Sequence, residues 1–132
     1  MEAKAAVAGM VAFVGLAHGR GIRIVTGSDA AGGPPWVVAG DSLHRELELL
    51  VQAGLSPVEA IRCATGAAAK ALRAPDRGTI RAGNLADLVI VRGNLAENIA
   101  VIREIEQVIL DGVLYERAQL LEEASRWALE QQ

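Results

Sequence analysis

Scarcity in this chain narrows its functions before any motif does. Aromatic residues make up 3% of its 132 positions, so it offers no series of rings on which nucleic-acid bases would stack. Basic residues are outnumbered: 13 Lys and Arg stand against 16 Asp and Glu, for a net charge of −3, which excludes the basic footprint that a phosphate backbone demands. Cys63 is the one cysteine. No internal disulfide is therefore possible, and a reducing, cytoplasmic setting is expected. Histidine is limited to His18 and His44, whereas a catalytic zinc site normally takes three protein ligands. Residues 3–17 are mostly apolar, yet they fall short of the ~20 residues that span a bilayer. They also run into His18-Gly19-Arg20-Gly21 without the small-residue cleavage site of a signal peptide. A membrane partner is accordingly not expected. This stretch reads as a helix with so little polar surface that it needs something to lie against.

What is present reads as alternating elements. After the N-terminal helix, with His18 at its C-terminal end where a histidine complements the helix dipole, Ile22 to Thr26 form a mostly apolar strand. It ends in Gly27-Ser28-Asp29, a polar turn with a carboxylate at its mouth. Locally, Asp29 is either a turn-capping side chain or a ligand and general base. A Gly- and Pro-rich loop follows, carrying Trp36. Leu43, Leu47, Leu50 and Val51 recur at helical spacing, with Glu46 and Glu48 read as turned away, so 42–53 is expected to be an amphipathic helix stopped by Gly54. Ser56, Pro57 and Glu59 make a capping box. The helix they open is expected to bury Ile61, Ala64, Ala68 and Leu72, with the Thr65 hydroxyl bonding back within it. Gly78 and Gly83 have the spacing of a phosphate loop, but Asn84-Leu85 stand where Lys and Ser/Thr would be required, which excludes a nucleotide site. Asp87 precedes a strand, Leu88 to Val91, and is read as structural. Asp111-Gly112, between Val108-Ile109-Leu110 and Val113-Leu114-Tyr115, calls for a type I′ hairpin, and a helix from Glu116 onward closes the chain.

In this order, Gly27-Ser28-Asp29, Asp41-Ser42-Leu43-His44-Arg45-Glu46-Leu47, Ala64-Thr65 and Gly78-Thr79-Ile80-Arg81-Ala82-Gly83-Asn84-Leu85-Ala86-Asp87-Leu88-Val89-Ile90-Val91 resemble the C-terminal part of the amidohydrolase superfamily. These are metal-dependent hydrolases of cyclic amides, imidazolones and dipeptides, prolidase-like enzymes among them. The resemblance covers roughly residues 20–116. It implies an α/β chain built from the last βα units of a TIM-type (β/α)8 barrel, followed by part of a small β-sandwich and a C-terminal helix. The boundary is expected at residue 75, with 1–75 as the end of the barrel and 76–132 as the sandwich portion. A closed barrel needs at least ~200 residues, so the barrel is incomplete within 132 and the chain reads as the tail of a larger enzyme.

The resemblance further implies that Asp29 is the catalytic and metal-contacting aspartate at the end of the eighth strand. His44 and Trp36 are implied substrate contacts near the barrel mouth. The remaining ligands, a His-x-His pair, a bridging lysine or glutamate and two further histidines, belong to parts of the family's barrel that have no counterpart here. The implied cofactor is a divalent metal, zinc for preference, in the full-length parent, and the implied reaction is hydrolysis of a C–N bond in a small amide-type substrate. By itself the chain is expected to lack a complete site and to be inactive, associating with the missing barrel portion or with copies of itself. The alternative is a non-catalytic oligomerisation or interaction module that kept the packing of this fold.

Overall fold

The computed structural model describes residues 2–30 and 37–130. Helix α1 spans Glu2–Gly19, and after an extended segment come α2 (Asp41–Gln52), α3 (Pro57–Ala64) and α4 (Gly66–Ala71). The second half holds β1 (Leu88–Val91), a 3₁₀ turn (Ile99–Arg103), β2 (Ile105–Leu110), β3 (Val113–Glu116) and α5 (Arg117–Glu130).

The core forms where α2 and α3 turn their apolar stripes toward each other. Leu47, Leu50, Leu55, Ala60 and Cys63 are buried together, and Ile99 from the 3₁₀ turn closes the cluster from the second half of the chain. Val14 of α1, Ile24 of the extended segment, and Leu95 and Ile102 pack around it. Fully burying each large aliphatic side chain stabilises by about 1.5–3 kcal/mol, so this cluster is the main organiser of the described fold. The capping box at the start of α3 is complete: Ser56 Oγ accepts from the Glu59 amide at 3.3 Å, and the Ser56 amide donates back to Glu59 Oε2 at 2.8 Å. These two reciprocal hydrogen bonds satisfy two orphan amides at the start of α3.

Three sequence expectations are corrected here. Residues 22–26 are extended but pair with no strand among the described residues. A parallel strand exists only through the neighbours that complete its ladder, and this segment instead bonds locally and to helices, as from the Ile22 amide to the Ala17 carbonyl at 3.1 Å. The single helix expected after Ser56 is two helices, because Thr65 breaks it at φ −126°, ψ −98°. The hydroxyl of Thr65 does bond back, donating to the Ile61 carbonyl at 2.8 Å, but the break rotates everything beyond it. Ala60, Cys63 and Ala69 are buried in place of the expected stripe, and Leu72 is 79% exposed. Lastly, Glu46 does not point away from the packed face, as described below.

The strands form one antiparallel sheet in the order β1-β2-β3. At the hairpin, Leu110 pairs with Val113, and Asp111 and Gly112 both adopt positive φ, 50° and 77°. This is the type I′ geometry whose twist matches the flanking strands. The Asp111 amide donates to Asp87 Oδ1 at 2.9 Å and the Gly112 amide to the Ala86 carbonyl at 3.1 Å, so Asp87 ties the start of β1 to the hairpin, the structural role its position suggested. Helix α5 lies against β2 and β3. Apolar side chains are left in the open along α1, where Met10, Phe13 and Leu16 are exposed while Val14 and Ala17 face inward. Such a helix, apolar on both sides, is built for burial.

Gly78 closes the helical half with φ +79°, and a Cβ there would stand 2.7 Å from Ala69 Cβ and 2.8 Å from the Thr65 carbonyl oxygen. Gly112 has a similar φ but an open surrounding. Gly78→Ala is expected to destabilise by about 2–5 kcal/mol, left-handed strain plus overpacking, and Gly112→Ala by about 1–2 kcal/mol from strain alone. Urea unfolding of both variants measures the difference, and equal losses would remove the steric part of this account.

Candidate functional site

The turn Gly27-Ser28-Asp29 is held from two sides. The Thr26 amide donates to the Cys63 carbonyl at 3.2 Å, which fastens the end of the extended segment to α3. The next amide, of Gly27, donates to Glu46 Oε1 at 2.9 Å, which fastens it to α2. Asp29 follows two residues later, exposed, with φ +52°. For a residue with a side chain that conformation is uncommon, although aspartate tolerates it better than most.

The other residues singled out in the sequence are dispersed. His44 is partly buried in the first turn of α2, where its amide donates to the Gly40 carbonyl at 3.3 Å. His18 sits in the last turn of α1, with Nε2 3.6 Å from Glu59 Oε1. Trp36 lies outside the described residues. Beside the turn is an open groove of about 350 Å³ whose lining includes Ser28, Asp41, Ser42, Arg45 and Glu46. Asp29 and His44 are not among its lining residues.

Charge is organised along one edge of this groove. Arg103, from the 3₁₀ turn, bonds Asp41 through Nη1 and Glu48 Oε1 through Nε at 3.0 Å, and Arg45 Nη1 bonds Glu48 Oε2 at 2.9 Å. Both oxygens of Glu48 are thus bound by guanidinium groups. The Arg45 hydrogen bond, followed by that of Arg103, holds the Glu48 carboxyl below its ordinary range against the opposing effect of burial. Through Arg103 this network joins the 3₁₀ turn to α2 at both Asp41 and Glu48.

Glu46 is the residue that the sequence reading missed. Its Oε2 is sealed from solvent and makes no hydrogen bond to a described residue. The signal was available in the spacing, because position 46 follows Leu43 by three and precedes Leu50 by four, which puts it on the buried stripe of α2.

Among the described residues no group of three or more His, Cys, Asp and Glu side chains converges as a metal site would. Asp29 is a suitable hard oxygen donor, but one carboxylate does not hold a divalent cation. The donor set described here therefore does not fit a metal by itself. No helix among the described residues is long and apolar enough to cross a membrane.

Comparison with known proteins gives a family match over most of the chain: the sequence model described as the amidohydrolase family matches residues 4–115. Among solved structures, a Xaa-Pro dipeptidase with methionine bound in its active site is 36% identical, with a TM-score of 0.70, over 80% of this chain and 25% of that one. Phenylurea hydrolase B is 30% identical, with a TM-score of 0.58, over 70% of this chain and 20% of its own. Molinate hydrolase is 26% identical, with a TM-score of 0.58, over 68% and 19% respectively. The chain thus spans a quarter or less of the length of these structures. No match was found among curated proteins.

The Glu48 network makes a prediction about acid. A carboxyl whose pKa is lower folded than unfolded contributes stability that is present above its unfolded value, 4.5, and is lost as pH falls through the folded value. Stability should therefore decline from about pH 5 downward, and Glu48→Gln should remove up to about 1 kcal/mol of that decline. Denaturant midpoints at pH 7, 5, 4 and 3 for both proteins test this, and parallel curves would show that Glu48 contributes nothing to the acid response.

Proposed function

Because this chain belongs to the amidohydrolase family, we propose that its 132 residues form the C-terminal part of a metal-dependent hydrolase that cleaves C–N bonds in small amide-type substrates, cyclic amides or dipeptides. In this reading residues 1–75 are the end of the TIM-type barrel and 76–132 the composite sandwich with its terminal helix. The observation that carries it is the family match over residues 4–115. Likeness to structures named as a Xaa-Pro dipeptidase, molinate hydrolase and phenylurea hydrolase B supports it.

Asp29 is the residue we assign to chemistry. A divalent metal, zinc in this reading, would take Asp29 as one ligand, draw its others from residues outside this chain, and supply a water of lowered pKa. Asp29 itself accepts a proton at its carboxylate from the attacking water and passes it to the leaving nitrogen, a general base becoming a general acid. The exposed carboxylate at the end of a pinned turn favours this role, since the turn is positioned by backbone bonds and the carboxylate makes no hydrogen bond among the described residues. His44 and Trp36 are assigned to substrate contact, on the elements that follow the site-bearing turn. The buried, unpaired Cys63 suits a cytoplasmic location.

A second reading is favoured by one observation, the exposed apolar row Met10, Phe13 and Leu16 on α1, which is 68%, 71% and 59% accessible. In that reading the chain is a non-catalytic module that self-associates or binds a partner through this row.

Reading the gene in frame upstream of the Met1 codon separates the two. An open frame with a His-x-His pair and two later histidines supports the hydrolase, and a stop codon immediately before Met1 supports the module. In the hydrolase that contains this chain, Asp29→Asn is expected to lower kcat by about 10²–10⁴-fold with the fold intact. Full activity in that variant, measured with an amide or dipeptide substrate beside a circular dichroism spectrum, would end the assignment of Asp29.

A further inference from the structure

We propose that Glu46 is the positioning residue of the Asp29 turn, holding it through the backbone amide of Gly27. The inference rests on the assignment of Asp29 above and adds the device that presents it. Glu46 Oε1 accepts from the Gly27 amide at 2.9 Å across 19 residues of sequence. The carboxylate is carried by α2 next to Leu47, which is 3% exposed, so the acceptor stands on a packed helix. One residue earlier, the Thr26 amide is held by the Cys63 carbonyl of α3 at 3.2 Å. Two successive amides are therefore bound to two different helices, and Ser28 alone separates the second of them from Asp29. The φ of +52° at Asp29 is a strained conformation for a residue with a side chain, although aspartate tolerates it better than most. Strain of this kind persists where the surroundings over-determine the backbone, and the paired bonds at Thr26 and Gly27 do so here.

Glu46 is poorly placed for any bland role. Its Oε2 is closed off from solvent with no hydrogen-bond partner among the described residues, and a buried carboxylate oxygen left unpaired is costly. The bond to Gly27 is what draws the group inward, and a hydrogen bond to an ionised acceptor is stronger than one to a neutral group. The same geometry provides a matched control. Glu46→Gln keeps a carbonyl oxygen to accept from Gly27 and sacrifices no hydrogen bond at the second position, whereas Glu46→Ala removes the acceptor.

Two measurements test the proposal. In the 132-residue chain, amide hydrogen exchange followed by NMR should show Gly27 protected. Glu46→Ala should accelerate Gly27 by at least about tenfold while Thr26 stays within about twofold, and Glu46→Gln should restore Gly27. An unprotected Gly27, an unchanged rate in Glu46→Ala, or equal acceleration of Thr26 would each overturn it. In the hydrolase that contains this chain, Glu46→Ala should lower kcat by about 10²-fold with KM little changed, as misplacement of a catalytic group does, and Glu46→Gln should recover most of it. Equal losses in both variants would assign the effect to charge and overturn the positioning role. The exchange result does not depend on activity, so an active Asp29→Asn enzyme would sink the assignment of Asp29 while leaving the Glu46–Gly27 bond to be judged separately.

Discussion

The packing of α2 against α3, with Leu47, Leu50, Leu55, Ala60 and Cys63 buried between them, is the constraint from which the rest of this molecule hangs. The extended segment is fastened to the Cys63 carbonyl and to Glu46, both of which are placed by that helix pair. The second half of the chain enters through Ile99, which is 7% exposed within the same cluster, and is tied again by Arg103 to Asp41 and Glu48. Because the pair is stabilised mainly by non-directional burial, it tolerates open surroundings, while the directional bonds that it supports decide where the Asp29 turn points.

Polar groups around that turn are arranged unequally, and the inequality has a physical reading. Glu48 has both oxygens engaged by arginines and is held ionised. Glu46, two residues earlier on the same helix, has one oxygen engaged by a backbone amide and the other sealed without a partner. The first arrangement joins two parts of the fold at its surface, where ion pairs contribute modestly. The second puts a carboxylate under a turn that carries the residue assigned to proton transfer, where geometry matters more than net stability. The family to which the chain belongs gives that turn its significance, since nothing in an isolated Gly-Ser-Asp distinguishes a catalytic aspartate from a capping one.

Much of the architecture was legible because it is written in local chemistry. The capping box at Ser56 and Glu59, the Asp111-Gly112 hairpin and the bonding-back hydroxyl of Thr65 each depend on a few adjacent residues. Each is found where the sequence put it. Less legible was the break at Thr65, where Gly66 follows directly but sits within a run of alanines that favours an uninterrupted helix. It turned the expected stripe through Ala68 and Leu72 out of register, so that Ala69 is buried and Leu72 stands exposed. The inward face of Glu46 was also missed, although it lies in the same i, i+3, i+4 row as Leu43, Leu47 and Leu50, because a charged residue on a stripe is ordinarily assigned to solvent.

By itself the sequence determined the family, the helix starts, the hairpin and the aspartate worth testing, since motif order, apolar period and turn chemistry are all properties of short stretches of chain. Tertiary structure alone decided that residues 22–26 bond to helices and to no strand, that Ile99 completes a core begun some fifty residues earlier, and that Glu46 reaches Gly27. Each of these joins groups distant along the chain, and such contacts exist only once the burial of α2 against α3 has offset the entropy of bringing them together.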